Sequence, residues 1–143
     1  MNDEKTAADV IFLRPGEGRT YPLGRMSAVF KADHGETDSA YSVSEWWLDP
    51  RTAGPGAHSH AGNIELFYVI AGVASILAGE EWLEAPAGSF VRIPATVMHD
   101  FENRSDERVG LLNVFLPGGF EEKMPAISKW FAENPPVSPR TPT

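Results

Sequence analysis

The stretch that decides the fold is residues 56–72, GAHSHAGNIELFYVIAG. It opens with two histidines one residue apart, His58 and His60, and it continues into an apolar run that begins at Glu65. Side chains two positions apart on a strand point to the same face, roughly 6.6 Å apart along the chain. Both imidazoles can therefore reach one metal ion, and a turn containing Gly62 can bring the Glu65 carboxylate beside them. The stretch predicts a metal site at the start of a β-strand.

A second stretch, residues 88–103, GSFVRIPATVMHDFEN, supplies a third candidate ligand, His99. An isolated His-x-His is more often a surface feature, and a glutamate that begins a strand is usually solvated, so neither feature predicts a metal site alone. A closed sheet, however, can bring His99 to the other two imidazoles. Three imidazoles and a carboxylate suit one divalent transition metal: Fe, Mn, Ni, Co, Cu or Zn. The remaining histidine, His34, lies in an Asp-His-Gly turn and is expected to be exposed.

The first stretch resembles the first conserved motif of the cupin superfamily. That motif is a glycine region followed by His-x-His, three or four residues, Glu, six residues and Gly. His58, His60, Glu65 and Gly72 match it at every spacing. The leading glycine of the motif is replaced by Thr52, and the nearby glycines of residues 54–56 are expected to serve the same turn.

The second stretch resembles the second cupin motif, which is Gly, five residues, Pro-x-Gly, two residues, His, three residues and Asn. Gly88, Pro94, His99 and Asn103 match it. Thr96 stands in place of the usual glycine and is expected to alter a tight turn. We expect Asn103 to satisfy backbone groups at a strand end rather than to contact a substrate.

The resemblance to small single-domain bacterial cupins, in particular quercetinases, implies a cupin double-stranded β-helix, a jelly-roll barrel. It also implies that His58, His60, Glu65 and His99 hold the metal. The expected function is a metal-dependent dioxygenase acting on a small enolisable or aromatic substrate. In that reaction the catalytic residue is Glu65, which would leave the metal and act as a base if burial raises its pKa.

Two other functions stay open at this point. One is a non-redox metal-dependent cyclase or isomerase, similar to polyketide cyclases or sugar isomerases. The other is a non-enzymatic cupin that binds a small molecule. The resemblance further implies a homodimer, with Trp46, Trp47 and the apolar face of residues 120–131 as candidates for its interface.

The pattern of the rest of the chain agrees with an all-β fold. Twelve prolines and 13 glycines separate short apolar runs, which is typical of many short strands joined by turns. The predicted strands are 10–13, 26–32, 40–48, 65–70, 73–78, 82–83, 89–93, 97–101 and 109–115. Phe120, Met124, Ile127 and Phe131 then recur at near-helical spacing, which predicts a short C-terminal helical segment. Pro125 is expected either to divide this helix or to begin a second one.

These elements predict one cupin domain over residues 10–133. A flexible N-terminal arm, residues 1–9, precedes it, and a proline-rich tail, residues 134–143, follows it. Strand alternation places Phe67 on the inward face with Glu65, and Phe101 on the inward face with His99. These two rings predict a largely hydrophobic cavity around the metal, although they could equally well fill the barrel core.

Composition excludes several classes of function. The chain has 12 basic and 20 acidic residues, for a formal net charge of −8. Nucleic acids and anionic membranes are held by basic side chains, so we expect no nucleic-acid partner and no membrane. The chain has no cysteine, which excludes disulfides and thiolate ligands. It also lacks an apolar stretch long enough for a signal peptide or membrane span, so a cytoplasmic protein with a small-molecule substrate is expected.

Overall fold

The computed structural model describes residues 9–134 and 138–139, which form two antiparallel sheets and a short helix. The predicted all-β jelly-roll barrel with a short C-terminal helical segment is confirmed. Most of the predicted arm and tail, residues 1–8, 135–137 and 140–143, lies outside the described residues. The described strands are β1 Arg19–Leu23, β2 Met26–Ala32, β3 Ser42–Leu48, β4 Ile64–Ala71, β5 Val73–Ala78, β6 Glu81–Pro86, β7 Phe90–Ile93, β8 His99–Glu102 and β9 Val109–Leu116.

The strands are divided between a larger and a smaller sheet. The larger has the order β1-β2-β3-β9-β4-β7, and the smaller has the order β6-β5-β8. Because β9 lies between β3 and β4, the first and second halves of the chain share one continuous sheet. The inward faces of the two sheets enclose a single apolar core, and the candidate metal ligands lie at one end of it.

The alternation of residues 42–48 shows how the sequence defines the inward face. Ser42, Ser44, Trp46 and Leu48 are buried, whereas the residues between them are only half-buried. Burial of one face is what period-2 alternation dictates in an antiparallel sheet. Trp46 is 5% exposed and packs in the core, so its expected place at a dimer interface is wrong.

The N-terminal part of the sheet differs from the prediction. Residues 10–13 form no strand, and Val10 and Phe12 are largely exposed. The edge strand is instead β1, Arg19–Leu23, which pairs with β2 in an antiparallel register. Its sequence, RTYPL, has few apolar residues and contains Pro22, so it lacks the pattern by which strands are predicted.

The C-terminal segment closes one end of the core. A 3-10 turn, Phe120–Lys123, leads into the helix α1, Met124–Glu133. Pro125 lies in the first turn of α1, where its missing N–H costs no hydrogen bond, so it begins the helix. Met124 is fully buried, and the Ser128 hydroxyl donates to the Pro22 carbonyl at 2.6 Å, which joins α1 to β1.

A buried carboxylate anchors this segment to the larger sheet. Glu121 accepts hydrogen bonds from the Ser42 hydroxyl at 2.7 Å and from the His34 backbone N–H at 3.0 Å. The same hydroxyl accepts from the Gly119 N–H at 2.9 Å. Burial by itself raises the pKa of the Glu121 carboxyl. The hydrogen bonds from Ser42 and His34 lower it by more, so the pKa lies below its ordinary value. His34 is consequently half-buried rather than exposed as predicted, and its ring lies 3.2 Å from the carboxylate of Glu122.

We expect Glu121→Gln to lower the free energy of unfolding by about 1–3 kcal/mol at neutral pH, because the charge is removed and one of the two acceptor oxygens becomes an NH2 group that cannot accept a hydrogen bond. Glu122→Gln, a change at an exposed neighbour, should alter it by less than about 0.5 kcal/mol. Glu121 is more acidic in the folded chain, so its contribution is present above its unfolded pKa, about 4.3, and is lost as the pH falls through the folded value. Urea unfolding at neutral pH and at a pH below the folded pKa of Glu121 checks this. An equal effect of the two substitutions would contradict it.

No helix among the described residues is long and apolar enough to cross a lipid bilayer. The homodimer implied by the resemblance stays a prediction. Trp47 lies half-buried on the outer face of β3, where the guanidinium of Arg108 lies 4.3 Å from the centre of its ring. The apolar side of residues 120–131 packs against the core of the same chain, which leaves less of it available to a partner than predicted.

Candidate metal centre

His58 and His99 are brought together by backbone pairing. Their backbones form an isolated antiparallel bridge, with the His58 N–H donating to the His99 carbonyl at 2.9 Å and the reverse bond at 2.8 Å. The His-x-His segment is therefore an extended loop alongside β8 rather than part of a regular strand. His60 follows two residues later, and its carbonyl accepts from the Thr96 N–H at 2.8 Å.

The glycines before His58 place this loop against β8. At Gly54 a Cβ would lie 1.6 Å from the Phe101 carbonyl oxygen, so no larger residue fits without displacing the strand. The Gly56 N–H donates to the Asp100 carboxylate at 3.1 Å, and its carbonyl lies 2.6 Å from His58 Nδ1. These glycines thus fix the approach of the loop, as expected from the motif.

Three imidazoles and one carboxylate converge on one point. One ligand atom from each of His58, His60, Glu65 and His99 lies within 4.8 Å of every other. The centre of the His58 ring is 5.1 Å from that of His60 and 4.4 Å from that of His99, and the His60 and His99 centres are 5.3 Å apart. The residues picked out by motif spacing are therefore gathered into a group that could hold one metal ion.

The strongest evidence that these residues fit a metal is a set of unpaired buried atoms. His60 Nε2, His99 Nε2 and Glu65 Oε2 are buried and make no hydrogen bond. The two nitrogens lie 3.0 and 2.6 Å from Oε2, but the contacts lack hydrogen-bond geometry. Buried polar atoms are almost always paired, so three orphaned ones directed at the same point indicate a missing partner that accepts lone pairs, as a cation does.

The other ring nitrogens fix the tautomers that a metal needs. His58 Nδ1 lies 2.6 Å from the Gly56 carbonyl, and His99 Nδ1 lies 3.0 Å from the Val97 carbonyl. A carbonyl oxygen only accepts, so each Nδ1 carries a proton, and in the neutral imidazole that binds a metal the lone pair is then on Nε2. Such hydrogen bonds to backbone carbonyls orient the histidine ligands of metal sites.

The charges within the cluster keep Glu65 ionised. Burial raises the pKa of the Glu65 carboxyl, but contacts with His60 and His99 outweigh it and lower the pKa to about 2. The expectation that burial raises the pKa of Glu65 above its ordinary value is therefore wrong. Glu65 is ionised, which is the form of a carboxylate that binds a cation. Burial lowers the pKa of His58, whereas at His99 the effect of burial is outweighed by Glu65, which raises the pKa.

Asn113 is a buried polar residue beside the cluster that the sequence pattern did not single out. Asn113, on β9, is 5% exposed, and its Nδ2 donates to Glu65 Oε1 at 2.9 Å. The available signal was its position as the one polar side chain in the run VGLLNVFL of β9. A polar residue facing inward from such a strand needs a buried partner, which here is Glu65.

A small apolar cavity of about 40 Å³ adjoins the cluster. It is lined by Trp46, Pro55, His58, Glu65, Phe67, Phe101, Asn113, Phe120, Ile127 and Phe131. Both interpretations of Phe67 and Phe101 are thus correct, since each ring lines the cavity and also belongs to the core. A larger, open recess of about 870 Å³ lies near Leu13 and Tyr41, but none of the four candidate ligands lines it, so we place the site at the smaller cavity.

The remaining motif residues support the site from outside. Thr96 has a φ of +70°, the left-handed conformation that glycine favours. The turn is therefore kept rather than altered, and a β-branched residue carries its strain. Asn103 is fully buried and its Nδ2 donates to the carbonyls of Asp49 and Glu107 at 3.0 and 2.6 Å. It satisfies backbone groups, as predicted.

Comparison with known proteins agrees with this geometry. The family model described as "Cupin domain" matches residues 44–115, about half of the chain. A predicted oxalate decarboxylase from Thermotoga maritima superposes with a TM-score of 0.69 at 16% identity, covering 76% of this chain and 99% of its own. KdgF from a Halomonas species gives a TM-score of 0.67 at 15% identity, with 80% and 99% covered.

An RmlC-like cupin from Shewanella frigidimarina is also similar, with a TM-score of 0.66 at 16% identity and with 83% of this chain and 98% of that one covered. At these identities the likeness concerns the fold alone. No curated protein matches the chain.

Proposed function

Because the chain belongs to the cupin domain family, we propose that it is an enzyme whose His58, His60, Glu65 and His99 hold one divalent transition metal ion. The single observation that carries this proposal is the convergence of three unpaired buried atoms, two imidazole nitrogens and one carboxylate oxygen. Side chains that only stabilised the fold would be paired with one another or replaced by apolar residues, since unpaired buried polar atoms cost about 1–3 kcal/mol each.

The reaction that this site supports best is dioxygenation of a small enolisable or aromatic substrate. The side chains that line the cavity include six large apolar groups from Trp46, Phe67, Phe101, Phe120, Ile127 and Phe131. Among the described residues that line it, the only titratable groups are His58 and Glu65, which belong to the ligand set. A reaction that relied on a separate acid and base would need further titratable side chains there. The bound metal would supply the electrophilic and redox chemistry for a reaction with dioxygen.

The chain's own residues orient the substrate and exclude water. The aromatic walls favour a flat apolar body, and the metal ligands lie at the polar end of the cavity. Glu65 Oε2 is the carboxylate atom directed at this point, and it could accept a proton from an acidic C–H or O–H of the substrate. Its pKa of about 2 makes it a weak base while both histidine contacts persist, so such a role requires that those contacts are released.

Access to the metal ligands is controlled by the C-terminal segment. A cavity of about 40 Å³ holds little more than one water, whereas ligand pockets are typically about 300–1,000 Å³. Phe120, Ile127 and Phe131 form the wall on the side of α1. An aromatic substrate would therefore enter only when this wall moves outward.

We expect Phe131→Ala to enlarge the cavity and to speed removal of the bound metal by a bulky chelator by about tenfold, which corresponds to about 1.4 kcal/mol in the barrier. Lys129→Ala is the matched control, because Lys129 is an exposed residue of the same helix and does not line the cavity. Stopped-flow measurement of metal release compares the two. Equal rates in both variants and the unmodified chain would show that α1 does not limit access.

The proposed reaction is tested by dioxygen consumption. The chain loaded in turn with Fe, Mn, Co, Ni or Cu is offered a panel of flavonols, diketones and catechols, in air and without oxygen. Consumption of dioxygen that requires both metal and substrate supports the proposal, and Glu65→Gln and His99→Ala should each remove it. Conversion of a substrate without oxygen would overturn it in favour of the non-redox cyclase or isomerase. No conversion with any metal would favour a binding protein.

A further inference from the structure

We propose that Asn113 is a positioning residue that makes Glu65 a ligand through one oxygen only. The side-chain amide holds Oε1 and leaves Oε2 as the only carboxylate atom directed at the histidines. This inference rests on the proposed metal site, but it concerns how many positions on the metal stay open for a substrate.

The two oxygens of Glu65 lie in different surroundings. Oε1 accepts a hydrogen bond from Asn113 Nδ2 at 2.9 Å. Oε2 lies 3.0 Å from His60 Nε2 and 2.6 Å from His99 Nε2, without hydrogen-bond geometry. The carboxylate is therefore divided between a paired atom that faces β9 and an unpaired atom that faces the imidazoles.

Strand register gives Asn113 this position. In the pairing of β4 with β9, Asn113 is opposite Phe67, and Phe115 is opposite Glu65. Asn113 and Glu65 thus point inward from adjacent strands, two residues apart in register, and both are at most 7% exposed. The neighbouring inward residues of β9, Leu111 and Phe115, are apolar, so packing alone does not require an amide here.

The consequence for the metal follows from counting ligand atoms. Three imidazoles and one carboxylate oxygen leave two positions open on a six-coordinate ion, and a carboxylate bound through both oxygens leaves one. Free rotation of Glu65 would allow the second mode, because nothing else holds Oε1 among the described contacts. Asn113 thereby keeps room for two further atoms, which a chelating substrate or a substrate and dioxygen together would need.

The test uses cobalt(II), whose visible absorption reports its coordination, in the full-length chain and in Asn113→Leu and Asn113→Val. Both variants place an apolar side chain of similar or slightly smaller size at this position and remove the N–H donor. We expect the cobalt spectrum to change in both, and X-ray absorption to show a second carboxylate oxygen. Affinity for acetohydroxamate, a chelating anion that occupies two adjacent open metal positions, should fall at least tenfold. Cobalt affinity should fall by about 10- to 100-fold, as on loss of other groups that orient ligands.

Val109→Ala is the matched control, because Val109 is a fully buried residue of the same strand and does not line the cavity. It should lower stability and leave the cobalt spectrum and acetohydroxamate affinity unchanged. An unmodified chain that binds cobalt, together with an Asn113→Leu variant of identical spectrum and acetohydroxamate affinity, would overturn this inference and leave the proposed metal site standing. An unmodified chain that binds no metal would overturn both.

Discussion

Alanine in place of His99 is expected to lower the affinity for a divalent transition metal by more than about 100-fold, the upper range for loss of a group that merely orients a ligand. His99 is 2% exposed, its Nε2 has no hydrogen-bond partner, and its Nδ1 is held by the Val97 carbonyl. The imidazole is thus fixed with Nε2 directed at the cluster. Among the described residues, no histidine or acidic side chain beyond His58, His60, Glu65 and His99 belongs to the converging group.

The matched control for this prediction is His34→Ala. It removes the one histidine that lies outside the cluster, where its ring contacts Glu122. Titration of each variant with zinc or cobalt, followed by calorimetry, should show tight binding in His34→Ala and weak or no binding in His99→Ala. Comparable affinities in the two variants would show that His99 is not a ligand.

The second large effect is expected on stability. Binding of a metal to the folded chain at about 100 times its dissociation constant should stabilise it by about 2.7 kcal/mol. For a chain of this size that raises the melting temperature by on the order of 10 °C. The physical reason is that the ion would pair three buried atoms, His60 Nε2, Glu65 Oε2 and His99 Nε2, which make no hydrogen bond otherwise.

Differential scanning calorimetry with and without a chelator measures this effect. The rise in melting temperature should occur with zinc, cobalt or nickel. It should be absent with magnesium, which prefers oxygen ligands and retains its bound waters. It should also be absent in His99→Ala with every metal. An unchanged melting temperature of the unmodified chain at saturating concentrations of each transition metal would contradict the stabilisation.

The sequence was sufficient to find the four candidate ligands because their spacing matches the two cupin motifs. His58 and His60 are separated by one residue, and Gly54 permits the close approach of their loop to β8. Strands β2 and β5 were predicted at their observed bounds, since turn residues delimit both apolar runs. The helix α1 was predicted because its apolar residues recur at helical spacing.

What the sequence could not provide depends on contacts between distant residues. The edge strand β1 is short, contains Pro22 and forms through its pairing with β2, whereas the apolar residues 10–13 form no strand. The role of Asn113 depends on the register of β9 against β4. The low pKa of Glu65 depends on its contacts with the imidazoles of His60 and His99, and these contacts exist only in the folded chain.

The account's central claim is that three imidazoles and one carboxylate surround a single metal ion. The most direct measurement is X-ray absorption at the metal edge, together with metal content, on the chain purified without chelator and then saturated with cobalt or zinc. We predict one ion per chain, with a first shell of nitrogen and oxygen atoms and multiple scattering from three imidazoles. A chain that retains no ion after desalting, or an ion whose shell lacks imidazole, would contradict the claim.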